Sequence, residues 1–113
     1  MHELSVVFEV IKAVDKIATE NQLTEVDTIV LQIGELSSMI PKYVQECFPA
    51  ATDRTRFEAT KLEIEILTAT ALCRKCHKVF KVVENEGKCP NDQDDGWELL
   101  SGKEFNIKEI IAW

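Results

Sequence analysis

Between Leu4 and Ala18 the apolar residues Leu4, Val7, Phe8, Ile11, Val14 and Ala18 recur three or four positions apart, with Glu9, Lys12, Lys16 and Glu20 falling opposite. That period winds them onto one face of an amphipathic helix. Val6, Val10 and Ile17 widen the apolar side, which predicts deeper burial in preference to a partner surface. Asn21 is placed to end the helix. From Val26 to Glu35 the period changes to two: Ile29, Leu31 and Ile33 share one side, Thr28, Val30 and Gln32 the other. Such alternation predicts a half-buried strand. Gly34-Glu35-Leu36-Ser37-Ser38 supplies the exit turn, and Ser37 or Ser38 is placed to cap a second helix with Pro41 in its first turn. Tyr43, Val44, Cys47, Phe48 and Ala51 form its apolar stripe, and Pro49 predicts a kink or an early end. Cys47, with no cysteine or histidine near it on the chain, is read as core.

Lys61 to Leu67 alternates most cleanly, with Leu62, Ile64 and Ile66 inward and Lys61, Glu63 and Glu65 outward. The chain then runs through Thr68-Ala-Thr-Ala-Leu72 into a cysteine-bearing segment, flanked by the short apolar arms Val79 to Val83 and Trp97 to Leu100. Ser101-Gly102 is a turn signal. Phe105, Ile107 and Ile111 make a last strand whose alternation slips at Lys108-Glu109, where a bulge fits. The expected class is α+β: two helices packed on a three-stranded sheet, with an inserted zinc-binding loop module of short strands between the second and third strands. The expected division is residues 1–67 with 103–113 as the α+β domain and 68–102 as the module. A length of 113 residues suits one such domain with an appendage.

The module is organised by Cys73-Arg-Lys-Cys76, twelve intervening residues, and Cys89-Pro-Asn-Asp92. Two residues between ligands let a tight turn aim both at one ion, and a second turn of the same length completes a tetrahedron. The fourth corner carries Asp92 in place of a thiol, and zinc accepts Cys, His and carboxylate ligands alike. Zinc held by Cys73, Cys76, Cys89 and Asp92 is the favoured reading. Beside it stand a c-type haem attachment at Cys73-Arg-Lys-Cys76-His77, a thioredoxin-like redox pair, and a degenerate knuckle that has lost its metal. His77 directly follows Cys76 and is ranked below Asp92 as the fourth ligand. Asp94 and Asp95 are read as a solvated acidic loop.

Charge narrows the partners. Twenty acidic residues against thirteen basic give a formal net charge of -7. That balance repels phosphate, so a nucleic-acid-binding zinc ribbon loses ground. No apolar run reaches membrane-spanning length and no export segment precedes Met1-His2-Glu3, so no membrane partner is expected. The cytoplasm is the expected compartment, with its cysteines as ligands or thiols and not disulfides. Nucleophile elbows, phosphate loops and histidine–carboxylate constellations are missing from the sequence, and no enzyme activity is expected.

The start of the chain carries a second candidate site. His2 is large, so Met1 should be retained, leaving an α-amine one residue before an imidazole. That amine, the amide nitrogen of His2 and its Nδ1 close a five-membered and a six-membered chelate ring. Deprotonated amide nitrogen is a strong-field donor, which favours square-planar nickel or copper over tetrahedral zinc. Glu3 adds an acid at the helix start. The competing reading is an exposed terminal histidine with no metal role.

Met1-His2-Glu3-Leu4-Ser5, Ile33-Gly34-Glu35-Leu36-Ser37, the Leu62 to Ile66 strand, Cys73 and Cys76, Cys89-Pro90 and the closing Phe105 to Ile111 strand together resemble the HypA/HybF family of hydrogenase nickel-incorporation proteins. The resemblance spans nearly the whole chain. It implies a cytoplasmic nickel metallochaperone that loads Ni2+ as transient cargo and passes it toward nickel-iron hydrogenase, in some relatives also toward urease. It implies Met1, His2 and Glu3 as nickel residues and Cys73, Cys76 and Cys89 as ligands of a structural Zn2+. The implied partners are a GTPase of nickel insertion and the hydrogenase large subunit or its maturation complex; a homodimer is left open. Asp92 stands where the family normally has its fourth thiolate, and Ile40 where many relatives carry an acidic residue. The alternative is a zinc-ribbon protein-interaction module without nickel delivery.

Overall fold

The computed structural model describes residues 3–113; the calls on Met1 and His2 lie outside the described residues. The elements in order are α1 (Glu3–Glu20), β1 (Val26–Gly34), α2 (Pro41–Thr52), β2 (Lys61–Leu67), β3 (Thr70–Cys73), β4 (Val79–Lys81), β5 (Trp97–Ser101) and β6 (Phe105–Ala112). The strands form two three-stranded sheets, β2-β1-β6 and β4-β3-β5. The α+β class holds, with the short-strand module placed between the second and third strands of the first sheet. Among the described residues no helix is long and apolar enough to cross a membrane. The chain divides into two compact units. One takes the chain to Gln32, then Met39–Glu65 and Asn106–Trp113; the other takes Ile33–Ser38 and Ile66–Phe105.

In the first unit α1 and α2 pack on each other. The side of α1 that is buried carries Val7, Val10, Ile11, Val14 and Ala18. Val10 is buried as expected, but Phe8 keeps 49% of its surface exposed, and Leu4 and Ile17 are exposed as well. The stripe is therefore narrower than the apolar pattern implied, because these three sit at its edges, where a cylinder turns away from whatever it packs on. Past Glu20 the Leu23 N–H donates to the Ala18 carbonyl at 2.8 Å and the Gln22 N–H to the Thr19 carbonyl at 3.2 Å, a Schellman closure. It forces exposed Gln22 to φ 56, a conformation a Cβ disfavours. Gln22→Gly is expected to raise the unfolding free energy by about 0.5–1 kcal/mol in a urea titration; an unchanged midpoint would count against this reading of the cap.

The second helix starts differently from expectation. Its N-cap is Ile40, which has extended backbone and no side-chain cap, so neither Ser37 nor Ser38 caps it. Pro41, the first helical residue, has no N–H to satisfy and a φ already suited to the helix. Pro49 does not end the helix, which continues to Thr52. Val44, Phe48, Ala51 and Thr52 are buried, whereas Tyr43 remains 46% exposed and Cys47 is half-buried, against the expectation of core.

In the sheet β2-β1-β6 the middle strand is covered on both faces: Thr28, Ile29, Val30 and Leu31 are all buried. A half-buried strand was expected, and the central position accounts for the difference. The edge strands are wetter. Ile66 of β2 is 49% exposed, against its inward assignment. In β6 the sheltered set passes from Phe105 and Ile107 to Ile110 and Ala112, leaving Ile111 42% exposed. The phase does slip across Lys108-Glu109, and so Ile111 falls on the opposite side from its assignment.

The second unit is built on β4-β3-β5, both pairings antiparallel. Its core is small: Ala69, Ala71, Cys73, Phe80, Val82 and Cys89, with Leu36, Cys76, Trp97 and Leu99 packed against it. Residues 33–38 are laced into this unit. The Gly34 N–H donates to the Glu104 carbonyl (2.8 Å), the Glu35 N–H to that of Leu67 (2.9 Å) and the Leu36 N–H to that of Gly102 (2.7 Å). The Glu35 carboxylate accepts the N–H of fully buried Ala69 at 2.7 Å. A buried amide that would otherwise lack a partner is satisfied by the residue after the strand exit.

Candidate metal centre

Two turns of the same design face each other at one end of β4-β3-β5. In the first, the Cys73 N–H donates to the Lys78 carbonyl (2.9 Å), and the His77 N–H donates back to the Cys73 carbonyl (2.8 Å). In the second, the Cys89 N–H donates to the Asp94 carbonyl (2.9 Å), and the Gln93 N–H to the Cys89 carbonyl (2.7 Å). The residue that reverses each turn has nearly the same left-handed backbone, φ 61 at His77 and φ 60 at Gln93. Asp92 therefore occupies in the second turn the place Cys76 occupies in the first. The two turns differ in the donor atom they present at this place and share the same backbone.

The ligand atoms of Cys73, Cys76, Cys89 and Asp92 all lie within 4.8 Å of one another. A tetrahedral zinc with sulfur at 2.3 Å needs donors spaced by about 3.8 Å, so three sulfurs and one oxygen in this arrangement fit that ion. The Cys76 and Cys89 sulfurs are 3.5 Å apart. Cys73 Sγ lies 3.7 and 3.6 Å from the two Asp92 carboxylate oxygens. Cys73 and Cys89 are fully buried, while Cys76 and Asp92 are half-exposed.

The local fields favour ligand forms at two corners. Burial opposes ionisation of Cys76, but the Lys78 N–H and hydrogen bonds from Cys89, Cys73 and Asn91 outweigh it and hold the thiol below its ordinary value. Burial pushes the Cys89 thiol up; the N–H groups of Asp92 and Asn91 only partly offset this, and the neighbouring sulfurs of Cys76 and Cys73 add to the rise. Burial also works against the Asp92 carboxylate. The Asp94 N–H, the Cys89 and Cys73 thiols and the charge of Lys75 prevail and hold it below the usual carboxylate range. A cation at the centre would take over from these protons as the common partner of all four groups.

The aromatic cover of the module was not assigned from sequence. Trp97 meets Phe80 edge to face, centroids 6.3 Å apart at 88°, and its Nε1 donates to the Gly87 carbonyl at 2.8 Å. Trp97 pairs directly with Cys73 across β3 and β5. The period of these short arms was legible, but not that one aromatic would tie the strand to the intervening loop.

His77 is exposed and is not among the clustered donors. Cys76 leads through a turn into β4, not into a helix, so the setting is unlike that of a thioredoxin-type pair. At the other candidate site the described residue is Glu3, half-buried in the first turn of α1.

Comparison with known proteins agrees with this architecture. The family model described as HypA, hydrogenase/urease nickel incorporation, metallochaperone, matches residues 1–112. Similar proteins include the hydrogenase maturation factor HypA of Geobacter sp. (strain M21), 33% identical over 110 residues, covering 97% of each chain. That of Chlorobium limicola is 34% identical over 110 residues, covering 97% of this chain and 95% of the relative. Among solved structures, the solution structure of the Ni metallochaperone HypA from Helicobacter pylori has the same fold, with a TM-score of 0.68 at 24% identity over 99% of this chain and 97% of that one. A second HypA solution structure gives 0.71 at 24% identity, covering 100% and 97%. With a whole-length family match and relatives above 30% identity across nearly all of both chains, this chain belongs to the HypA family.

Proposed function

We propose that this chain is a nickel metallochaperone of hydrogenase maturation, binding Ni2+ through Met1, His2 and Glu3 and surrendering it to a nickel-iron hydrogenase. The observation that carries the reading is membership in a nickel-incorporation family over residues 1–112, a match that includes the Met1-His2-Glu3 segment. Zn2+ is the resident ion at Cys73, Cys76, Cys89 and Asp92 and has a structural role. Residues 1–67 with 103–113 form the nickel-handling part and 68–102 the zinc module. The partners that fit are a GTPase of nickel insertion and the hydrogenase large subunit or its maturation complex, in the cytoplasm. The chain contributes binding and release, with no catalysis of its own. No observation favours a zinc-ribbon interaction module that ignores nickel.

Nickel titrated into untagged, zinc-loaded protein is expected to bind one per chain with the absorption of a planar nitrogen-rich centre. His2→Ala is expected to abolish this while the far-ultraviolet circular dichroism stays unchanged, and acetylation of the Met1 amine should do the same. Nickel binding that survives both changes would place the cargo elsewhere.

A further inference from the structure

The fourth corner of the metal centre is a carboxylate, so the centre holds an odd number of sulfurs, and the geometry sorts them unequally. Cys76 and Cys89 stand 3.5 Å apart, one from each knuckle, while Cys73 is turned to the Asp92 carboxylate at 3.6 and 3.7 Å. Cys76 is also the one residue of the three with exposed surface; Cys73 and Cys89 are fully buried. Cys76 is thus the residue of the three that a small oxidant can reach, and the Cys89 sulfur, 3.5 Å away, is in place to answer it.

We propose that Cys76 and Cys89 form a reversible disulfide between the two knuckles under peroxide, and that this crosslink takes over from zinc as the staple of the second unit. In the first step the Cys76 sulfur attacks one peroxide oxygen; the S–O bond forms, the O–O bond breaks, and hydroxide leaves and is protonated to water. In the second the Cys89 sulfur attacks the Cys76 sulfur; the S–S bond forms, the S–O bond breaks, and a second water leaves. Two thiols have lost two electrons, one hydrogen peroxide has gained them, and two waters result. Closing 3.5 Å to about 2.0 Å asks for a shift well within the reach of two side chains. Cys73 and Asp92 alone are too few to retain zinc, so crosslink and zinc are mutually exclusive. Cys73, buried beside Asp92, is kept as a thiol. An external dithiol attacking exposed Cys76 restores the pair and is itself oxidised.

The consequence rests on the zinc assignment; the crosslink does not. Zinc-loaded, full-length protein is treated with hydrogen peroxide while zinc release is followed with a colorimetric chelator, and the products are alkylated and mapped by mass spectrometry. The expected result is one zinc released per loss of two mass units, a Cys76–Cys89 crosslink, Cys73 and Cys47 recovered as thiols, and reversal by dithiothreitol with zinc. Asp92→Cys, which restores an even number of sulfurs, is expected to keep the Cys76–Cys89 link and add a second between Cys73 and the introduced thiol. A Cys73–Cys76 or Cys73–Cys89 crosslink in the native protein overturns the proposal, as does overoxidation of Cys76 without a crosslink. Zinc missing before oxidant is added, with the Cys76–Cys89 link still formed, counts against the zinc assignment and leaves the crosslink standing.

Discussion

Gly34→Ala is expected to destabilise the protein by more than about 3 kcal/mol, placing it among the most damaging single substitutions the chain can carry. A Cβ on Gly34 would lie far inside contact distance of the Gly102 carbonyl and 2.7 Å from the Lys103 amide nitrogen, all backbone atoms. Neither strand of that crossing is free to retreat. The Gly34 N–H is committed to Glu104 at 2.8 Å, and the Gly102 carbonyl accepts the Leu36 N–H at 2.7 Å. Gly102 in turn holds φ +128, with its own missing Cβ 2.5 Å from that of Ala69. Relief on one side tightens the other, and breaking either hydrogen bond leaves a buried amide or carbonyl without a partner. Gly87→Ala provides the contrast: φ is +78 there too, but nothing lies within 4 Å of the added carbon, so only the backbone preference is lost, about 1 kcal/mol. Urea denaturation of both variants, with zinc content measured in parallel, tests the pair. Equal losses would show that the crossing yields more readily than its geometry implies.

That crossing also marks the limit of what the sequence disclosed. Gly34 is legible as a turn residue, yet its need to be glycine comes from Gly102, far along the chain, and no local pattern couples the two. Periodicity located the elements closely; Lys61 to Leu67 matches β2 residue for residue. What it misjudged was which apolar side chains are covered. Phe8, Tyr43 and Ile66 fit their periods but lie at a helix flank or on an edge strand, and exposure there is decided by the neighbouring element, not by the spacing; Ile111 is exposed because the alternation slips before it. The cap on α2 was missed for a related reason. Serines before a helix are a common device, but Pro41 removes one of the amides a cap would serve. The cysteine cluster was the most legible part, because ligand spacing is a local property of a turn. Even so, that Asp92 sits in a knuckle matching that of Cys76 follows only from the matched hydrogen bonds at Lys78 and Asp94 and the matched φ at His77 and Gln93.

Stripping zinc from the reduced protein is expected to unfold the second unit. Its buried core has six residues, and two of them, Cys73 and Cys89, are among the proposed ligands, with Cys76 packed against it. Without a metal the centre gathers three thiols and a carboxylate with little apolar surface to hold them, and structural zinc binding typically contributes roughly 10–16 kcal/mol in small domains of this kind. Trp97 reports the event, since its edge contact with Phe80 and its bond to the Gly87 carbonyl both depend on the knuckles staying closed. In a Trp113→Phe background, which leaves Trp97 as the sole tryptophan, chelation should shift the emission to longer wavelength, and added zinc should reverse it. Asp92→Ala removes one of four donors and is expected to weaken zinc by at least about 100-fold, going beyond what loss of a supporting hydrogen bond costs. Asp92→Cys, placing sulfur on a knuckle already shaped for it, should bind more tightly than the native chain. Competition against a chelator of known affinity orders the three proteins. If Asp92→Ala holds zinc as firmly as the native protein, the carboxylate is a neighbour of the metal and not its ligand; if metal-free protein keeps the Trp97 signal, the apolar core alone is enough to close the unit.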